Sequence, residues 1–549
     1  MKPAEAMNHR QIMQALSGLL LGIFMAALSS TIVTNALPKI LTDLHGGESA
    51  YTWVIAGTLL ASCASTPLWG KLSDLVSKKL LVQISLVIYL LGSMLAGLSQ
   101  NPGELIACRV LQGLGSGGIT ALGQVCMASL TGPRERGRYS GYFGMAFALA
   151  TIGGPLIGGT IVDTSWLGWR WCFYVSVPFT LLAVVLLQKT LHLPVHRREA
   201  KIDYLGAALI ASSATVLLVW ITLAGDQYAW LSWQTAAMVG GSVLLGLLAV
   251  LTESRASEPI IPLSLFGYRT VTLSVLAGLL IGAAMYAATT FLSQYFQLGR
   301  GSSPITAGVE TMPMVLGLAV ASMVVGRLIT RHGRWKVYLL IGGTLLTAGF
   351  ALLGTVRSDT SYGLTACYML MVGTGIGMTM QNLVLVIQNT APAAVLGAAS
   401  STANFARSMG GALGVSALGA VLGHRTNHYA AQNLAAAHLP AAAARGNGSG
   451  IPDLAALPAR VRPLIENAFG HSLGDVFLLT APIAFVALIA MLLVEETPPP
   501  APSSPAGPAG EGRDTTGPDS TCLENAGLDA VESADVPAGV PGAVPGAVR

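Results

Sequence analysis

Fourteen runs of about 20 mostly apolar residues follow one another along the chain, at roughly 13–36, 51–71, 80–99, 104–128, 140–162, 171–189, 204–224, 233–252, 270–292, 305–327, 336–356, 362–386, 395–422 and 473–493. A helix of that length crosses a ~30 Å hydrocarbon core, and lipid offers no partner to a bare backbone N–H or C=O, so each run is expected to span a membrane as a helix. The residue balance agrees, since only 10% of residues are charged and 52% are hydrophobic, whereas about a quarter of a soluble domain is charged. The expected class is an all-α integral membrane protein.

An even number of spans puts both termini on one side. With the N terminus inside, the inner segments hold eighteen basic residues: Lys2, Arg10, Lys71, Lys78, Lys79, Arg134, Arg136, Arg138, Lys189, Arg197, Arg198, Lys201, Arg255, Arg269, Arg327, Arg331, Arg334 and Lys336. The short outer loops hold four, Lys39, Arg170, Arg300 and Arg357. The positive-inside rule therefore assigns both termini to the cytoplasm and the chain to the cell membrane, as a multi-pass protein. The first run is too long for a cleavable signal peptide and lacks a small-residue cleavage site, so it reads as the first span.

Several functions are disfavoured by what these residues do not form. The six cysteines are scattered singly, five in spans and Cys522 in the tail, with no CxxC spacing for a metal or a redox pair. The net charge of +4 is accounted for by inner-loop cations facing anionic lipid and does not argue for nucleic acid. No nucleophile–base pairing and no Walker sequence occurs, so neither an enzyme nor direct use of ATP is expected, and no cofactor or metal is called for. Residues 494–549, rich in Pro, Ala and Gly and ending VPAGVPGAVPGAVR, are expected to be a disordered cytoplasmic tail. The outer loop 424–472 places Val461, Leu464, Ile465, Ala468 and Phe469 at helical spacing, as a short helix on the outer interface or as a simple connector.

An internal repeat gives the organisation. GKLSDLVSKK (70–79) and GRLITRHGRW (326–335) match at one offset, Gly70 with Gly326, Lys71 with Arg327, Leu72 with Leu328 and Lys78 with Arg334. Each follows the second span of its half. The chain is thus expected to divide into a six-helix half at 1–190, two extra linker spans within 191–269, and a second six-helix half at 270–493, with a substrate path between the halves.

Five motifs on the expected spans carry a family resemblance. GKLSDLVSKK resembles the loop motif of major facilitator transporters, RVLQGLGSGG (109–118) their fourth-span arginine motif, and GGPLIGG (153–159) their fifth-span antiporter motif. With WRWCFYVSVP (169–178) and ARSMGGALG (406–414), the set is similar to that of the fourteen-span drug:proton antiporters. The resemblance implies a major facilitator fold with small-molecule substrate, protons and the bilayer as partners, functional as a monomer. It implies conformational-switch roles for Gly70, Asp74, Lys78 and Lys79 in the loop motif, for Gly154, Pro155, Gly158 and Gly159 in the fifth span, and for Arg407. Plain packing, capping and positive-inside topology also account for these residues, and both readings stand. The loop motif departs from the family at Leu75, usually basic, and at Ser77, usually Gly.

The first span departs further. ALSSTIVTNALP (27–38) aligns with a family motif that usually carries an Asp at the place of Ser29, often regarded as a proton-coupling site. Ser29, Thr31 and Asn35 supply hydrogen-bonding groups for a cavity or for helix–helix contact, but none titrates in the working range. Among acids, Glu310 alone lies well inside an expected span, about 8 Å deep at 1.5 Å per residue, and it becomes the proton-coupling candidate. Arg109 keeps its charge inside the fourth span and needs a partner, for which Gln112, Glu310 and an anionic substrate are the candidates. The expected function is proton-coupled export of hydrophobic or amphipathic small molecules by alternating access. The alternatives are export of a lipid or self-made metabolite, and a non-transporting sensor on the same scaffold.

Overall fold

The structure, a computed structural model, describes residues 9–45, 48–133, 135–164, 167–191, 203–224, 228–256, 258–438, 458 and 460–496. The expected disordered tail falls almost wholly outside them, as do residues 439–457 of the outer loop. Among the described residues the chain forms sixteen α-helices: α1 (His9–Asp43), α2 (Glu48–Leu75), α3 (Lys78–Leu98), α4 (Pro102–Leu130), α5 (Arg136–Asp163), α6 (Trp171–Tyr174), α7 (Ser176–Thr190), α8 (Tyr204–Leu223), α9 (Trp233–Arg255), α10 (Arg269–Gln294), α11 (Pro304–Glu310), α12 (Met312–His332), α13 (Lys336–Leu353), α14 (Tyr362–Thr390), α15 (Leu396–Ala436) and α16 (Arg462–Leu492).

Polar signals set the ends of these helices. Asn101 accepts the Glu104 N–H at 2.9 Å and Pro102 follows in the first turn, starting α4. Asp203 and Ser232 cap α8 and α9 in the same way. Gly333, at φ 72°, closes α12 in the left-handed conformation that a side chain resists. Among the described residues, twelve helices are long and apolar enough to cross a membrane; α2, which carries Pro67, and α8 are helical but fall outside that set.

Along the helices, the pattern of a soluble protein is turned outward. On α3 the exposed stripe is Leu80, Ile84, Val87, Leu91, Leu95 and Leu98, whereas Ser85, Gly92, Ser93 and Gly97 are buried. In lipid the apolar face gains nothing by hiding, so association depends on close packing and hydrogen bonds. Glycines in α4 supply that closeness: a Cβ at Gly113 would stand 2.4 Å from Thr58 O of α2, one at Gly115 2.5 Å from Tyr89 N of α3, and one at Gly117 2.5 Å from Ser62 O of α2. α14 repeats the device, with Gly373 against Met314 O and Gly377 against Leu318 O of α12, and Gly375 between them against Gly342 O of α13. The α2–α3–α4 arrangement therefore recurs as α12–α13–α14. One apolar core is built almost entirely from α10 to α16, and two others from α1 to α7. A smaller cluster joins Ala56, Leu60 and Cys63 of α2 to Ala214 and Leu218 of α8 and Met409 and Ala412 of α15.

One expectation is corrected. Residues 461–469 form neither a separate interfacial helix nor a connector, because α16 runs unbroken from Arg462 and Val461 serves as its cap. Ile465, Ala468 and Phe469 bury their faces against α15, which itself continues to Ala436. Asn433 donates to Leu464 O at 2.9 Å and Tyr429 to Asp475 Oδ2 at 2.9 Å, so the two helices stay paired past their apolar parts. The expected tenth span is found as Ile305–His332, with a turn at Thr311 between α11 and α12.

If backbone contact at glycine holds the helices, Gly113→Val and Gly375→Val should each cost about 1–3 kcal/mol by overpacking. Both should lower the thermal unfolding midpoint of purified protein, while Gly363→Ala, where a Cβ meets nothing within 4 Å, should leave it unchanged.

Candidate functional site

Ser29 is buried where the first-span polar cluster meets α4. Gln112 Nε2 donates to Ser29 Oγ at 3.3 Å and to Ser93 Oγ at 2.7 Å, while Gln112 Oε1 accepts from Arg109 Nη1 at 2.6 Å. Arg109 Nε reaches Val54 O at 3.5 Å, and the residue is only 2% exposed. The sequence-predicted set Ser29, Arg109 and Gln112 is thus one hydrogen-bonded chain linking α1, α3 and α4. Among the described residues no carboxylate forms an ion pair with Arg109. A guanidinium cannot shed its proton to escape this. Thr31 donates to Leu28 O at 2.8 Å and to Ala150 O of α5 at 3.2 Å. Asn35 lies on α1, and its side chain is outside the described set.

The fifth-span motif packs α5 on α1. A Cβ at Gly154 would fall 2.1 Å from Thr31 Oγ1, and one at Gly158 3.1 Å from Ile32 O. Gly159 faces Ile305 of α11 instead, across to the C-terminal helices. Pro155 sits between them on α5, its side chain outside the described set.

At the inner end, the two repeat-related glycines each meet the opposite group of helices. A Cβ at Gly70 would stand 2.0 Å from Ser401 Oγ of α15, and one at Gly326 2.2 Å from Gly137 O of α5. Asp74 reinforces the first contact, its Oδ1 accepting from Gly397 N at 2.9 Å and its Oδ2 from Ala398 N at 3.0 Å. Those N–H groups open α15, where the positive end of the helix dipole favours an anion. The loop cations find separate partners. Lys71 pairs with Glu258 at 2.6 Å, Lys79 donates to Gln188 O at 2.7 Å, and Lys78 acts on Asp74 only through its field.

Asp74 lies beyond the expected span 51–71. Burial pushes its carboxyl up to about 6, against the backbone donors of Ala398 and Gly397 and the nearby Lys78 and Lys71, which pull it down. Sequence reasoning missed the rest of the inner contact. Arg136 Nη1 donates to Gln388 O and to Asn389 Oδ1, both at 3.0 Å, and its Nη2 to Ala128 O at 3.0 Å. Gln124 Nε2 donates to Gln381 Oε1 at 2.8 Å. Arg136 reads in the sequence as one more inner cation; that its guanidinium is buried among carbonyls follows only from the fold.

Glu310 ends α11 at the break before α12, where its Oε2 accepts from Ser302 Oγ at 2.8 Å. It is half-buried and makes no contact with Arg109. Arg407 lies inside α15, 8% exposed, with Nη2 donating to Asn404 Oδ1 at 2.8 Å.

With this geometry in place, comparison with known proteins places the chain. The profile of the Major Facilitator Superfamily matches residues 19–415. An uncharacterised transporter of that type from Mycobacterium tuberculosis is 34% identical over 488 residues, covering 88% of this chain and 69% of its own. The multidrug transporter protein MdtP of Bacillus subtilis is 34% identical over 414 residues, covering 75% and 76%. Among solved structures, the proton:xylose symporter XylE superposes with a TM-score of 0.60 at 15% identity, covering 89% of this chain and 97% of its own, a likeness of fold alone.

Because the buried Asp74 holds its proton more tightly than a solvated one, its contribution to inner closure is greatest below the ordinary carboxyl value and is lost as pH rises through about 6. Double electron–electron resonance between spin labels at Val76 and Ala394, on a cysteine-free background, should show a shrinking closed fraction as pH rises from about 5 to about 7. Asp74→Asn should flatten that dependence and slow transport, with ligand affinity within a few-fold of wild type.

Proposed function

The chain belongs to the Major Facilitator Superfamily, and from that premise we propose that it is a proton-coupled secondary exporter of hydrophobic or amphipathic small molecules. Substrate enters from the cytoplasm or inner leaflet, binds between two six-helix halves, and leaves outside when the halves rock about that site. The observation that carries this reading is the inner closure. Residues of α2 and α5 grip α12, α14 and α15 through glycine contacts, Asp74 and Arg136, an arrangement that has to come apart for anything to enter from inside. The printed name of one relative, the efflux pump dotC of Dothistroma septosporum, supports export over import.

The same reading fixes the topology. The twelve long apolar helices, together with α2 and α8, make fourteen spans, with both termini in the cytoplasm of a cell-membrane protein that works as a monomer. The halves are 1–190 and 270–493, joined by the linker spans within 191–269. Ser29 leaves the Arg109 chain without a titrating member, so coupling passes to Glu310, the acid in the outer part of the tenth span.

The test is substrate-dependent proton movement in proteoliposomes across cationic, neutral and anionic compounds. Glu310→Gln keeps the size of the side chain and removes titration, so it should permit downhill exchange while abolishing accumulation against a gradient. Ser29→Ala should alter affinity without uncoupling, and wild-type uphill transport by Glu310→Gln would refute the assignment.

In the same assay Arg109→Ala should abolish transport by protein that reaches the membrane at normal levels. Arg109→Lys should rescue poorly, because an ammonium cannot reproduce the planar fork that meets Gln112 and Val54.

A further inference from the structure

Arg407 has a donor that none of the described residues uses. Its Nη1 is buried and unpartnered, while Nη2 is held by Asn404 one turn earlier. No ion pair reaches it among the described residues. It stands eleven residues into α15, about 16 Å along the axis, near the middle of a ~30 Å core. A charge there is among the most expensive groups a membrane protein can carry, and arginine cannot neutralise itself.

The surroundings are where α15 meets α10 on one side and α2 on the other. The Tyr286 ring of α10 covers Gly411, one turn past Arg407, at a point where a Cβ would come within 2.3 Å of it. Tyr286 lies within electrostatic reach of both Arg407 and Cys63 of α2. Met409 and Ala412, on the turns beside Arg407, pack with Ala56, Leu60 and Cys63. A free guanidinium edge among apolar and aromatic groups matches an amphipath with one anionic oxygen pair, since the fork meets a carboxylate, sulfonate or phosphate through parallel N–H···O bonds.

We propose that Arg407, steadied by Asn404 and flanked by Tyr286, is the anion-recognising subsite of the transport path, and that the substrates are amphipaths bearing an anionic headgroup. This rests on the exporter reading and narrows it. It also gives Arg407 a binding role in place of the switching role that the sequence resemblance implied.

The test compares two dyes of one skeleton, 8-anilinonaphthalene-1-sulfonate and N-phenyl-1-naphthylamine, which lacks the sulfonate. Their binding to nanodiscs holding the full chain is measured by fluorescence against empty nanodiscs. Wild type should favour the sulfonate about tenfold or more, the usual worth of a charge-assisted bond. Arg407→Gln should lose that margin while binding the neutral dye within about twofold of wild type, which also reports that the variant is folded, and Arg407→Lys should recover part of it. Competition by lysophosphatidylglycerol against dodecanoate tells a lipid headgroup from a free acid, and Arg407-dependent displacement by either upholds the subsite. Lack of preference in wild type, an unchanged sulfonate affinity in Arg407→Gln, or a parallel loss of both dyes would overturn it. Selective binding without proton-driven export in proteoliposomes would count against the exporter reading alone.

Discussion

Backbone-to-backbone contact at glycine is the interaction on which this structure depends, because lipid removes the usual reason for helices to associate. Gly113, Gly115 and Gly117 bring α4 against α2 and α3, and Gly373, Gly375 and Gly377 bring α14 against α12 and α13. Each contact works by closeness, not by interlocked side chains. The inner closure uses the same means, Gly70 on α15 and Gly326 on α5. Along α5 the device recurs between the groups, where a Cβ at Gly141 would stand 2.7 Å from Ser322 O of α12 and one at Gly144 2.5 Å from Ser322 Oγ.

Against that background the buried cations stand out. Arg109 and Arg407 occupy helices on either side of the boundary, and each leans on an amide three residues away, Gln112 or Asn404. An amide satisfies part of a guanidinium but returns no negative charge. The two sites differ beyond that amide. Gln112 passes the interaction on to Ser29 and Ser93 in a chain closed within the N-terminal helices, whereas Arg407 Nη1 ends without a partner among the described residues. One arginine is integrated into its bundle, and the other keeps a buried donor that no described residue accepts.

Much of the fold could be read from the sequence because membrane spans announce themselves by length, and the Gly70–Gly326 repeat by exact spacing of residues. The Ser29–Gln112–Arg109 grouping was also legible, since charge in an apolar span has to be answered nearby. What could not be read was which neighbours each side chain would find. Asp74 looked like a member of a loop charge cluster, yet its partners are two backbone amides more than three hundred residues away. Arg136 was one inner cation among eighteen, and its burial depends on the approach of α14, which no local pattern encodes. The helical spacing at 461–469 was real, but spacing alone does not say whether an apolar face meets lipid or α15.

The two halves of the inner closure are related by the repeat but are not alike, and their difference shows where the grip is applied. At the position of Asp74 the second repeat has Thr330, whose hydroxyl turns back to Gly326 O of its own helix. The second contact is instead made by Arg136, which binds the last carbonyls of α14 and α4. A carboxyl thus sits on the N-terminus of α15 and a guanidinium on the C-terminus of α14, each meeting backbone groups that a helix end leaves unpaired. These two helix ends are joined by the short turn between Thr390 and Leu396, so α2 and α5 hold the C-terminal helices at one place. Among the described residues neither side chain forms an ion pair, so each is answered by backbone groups at a helix end.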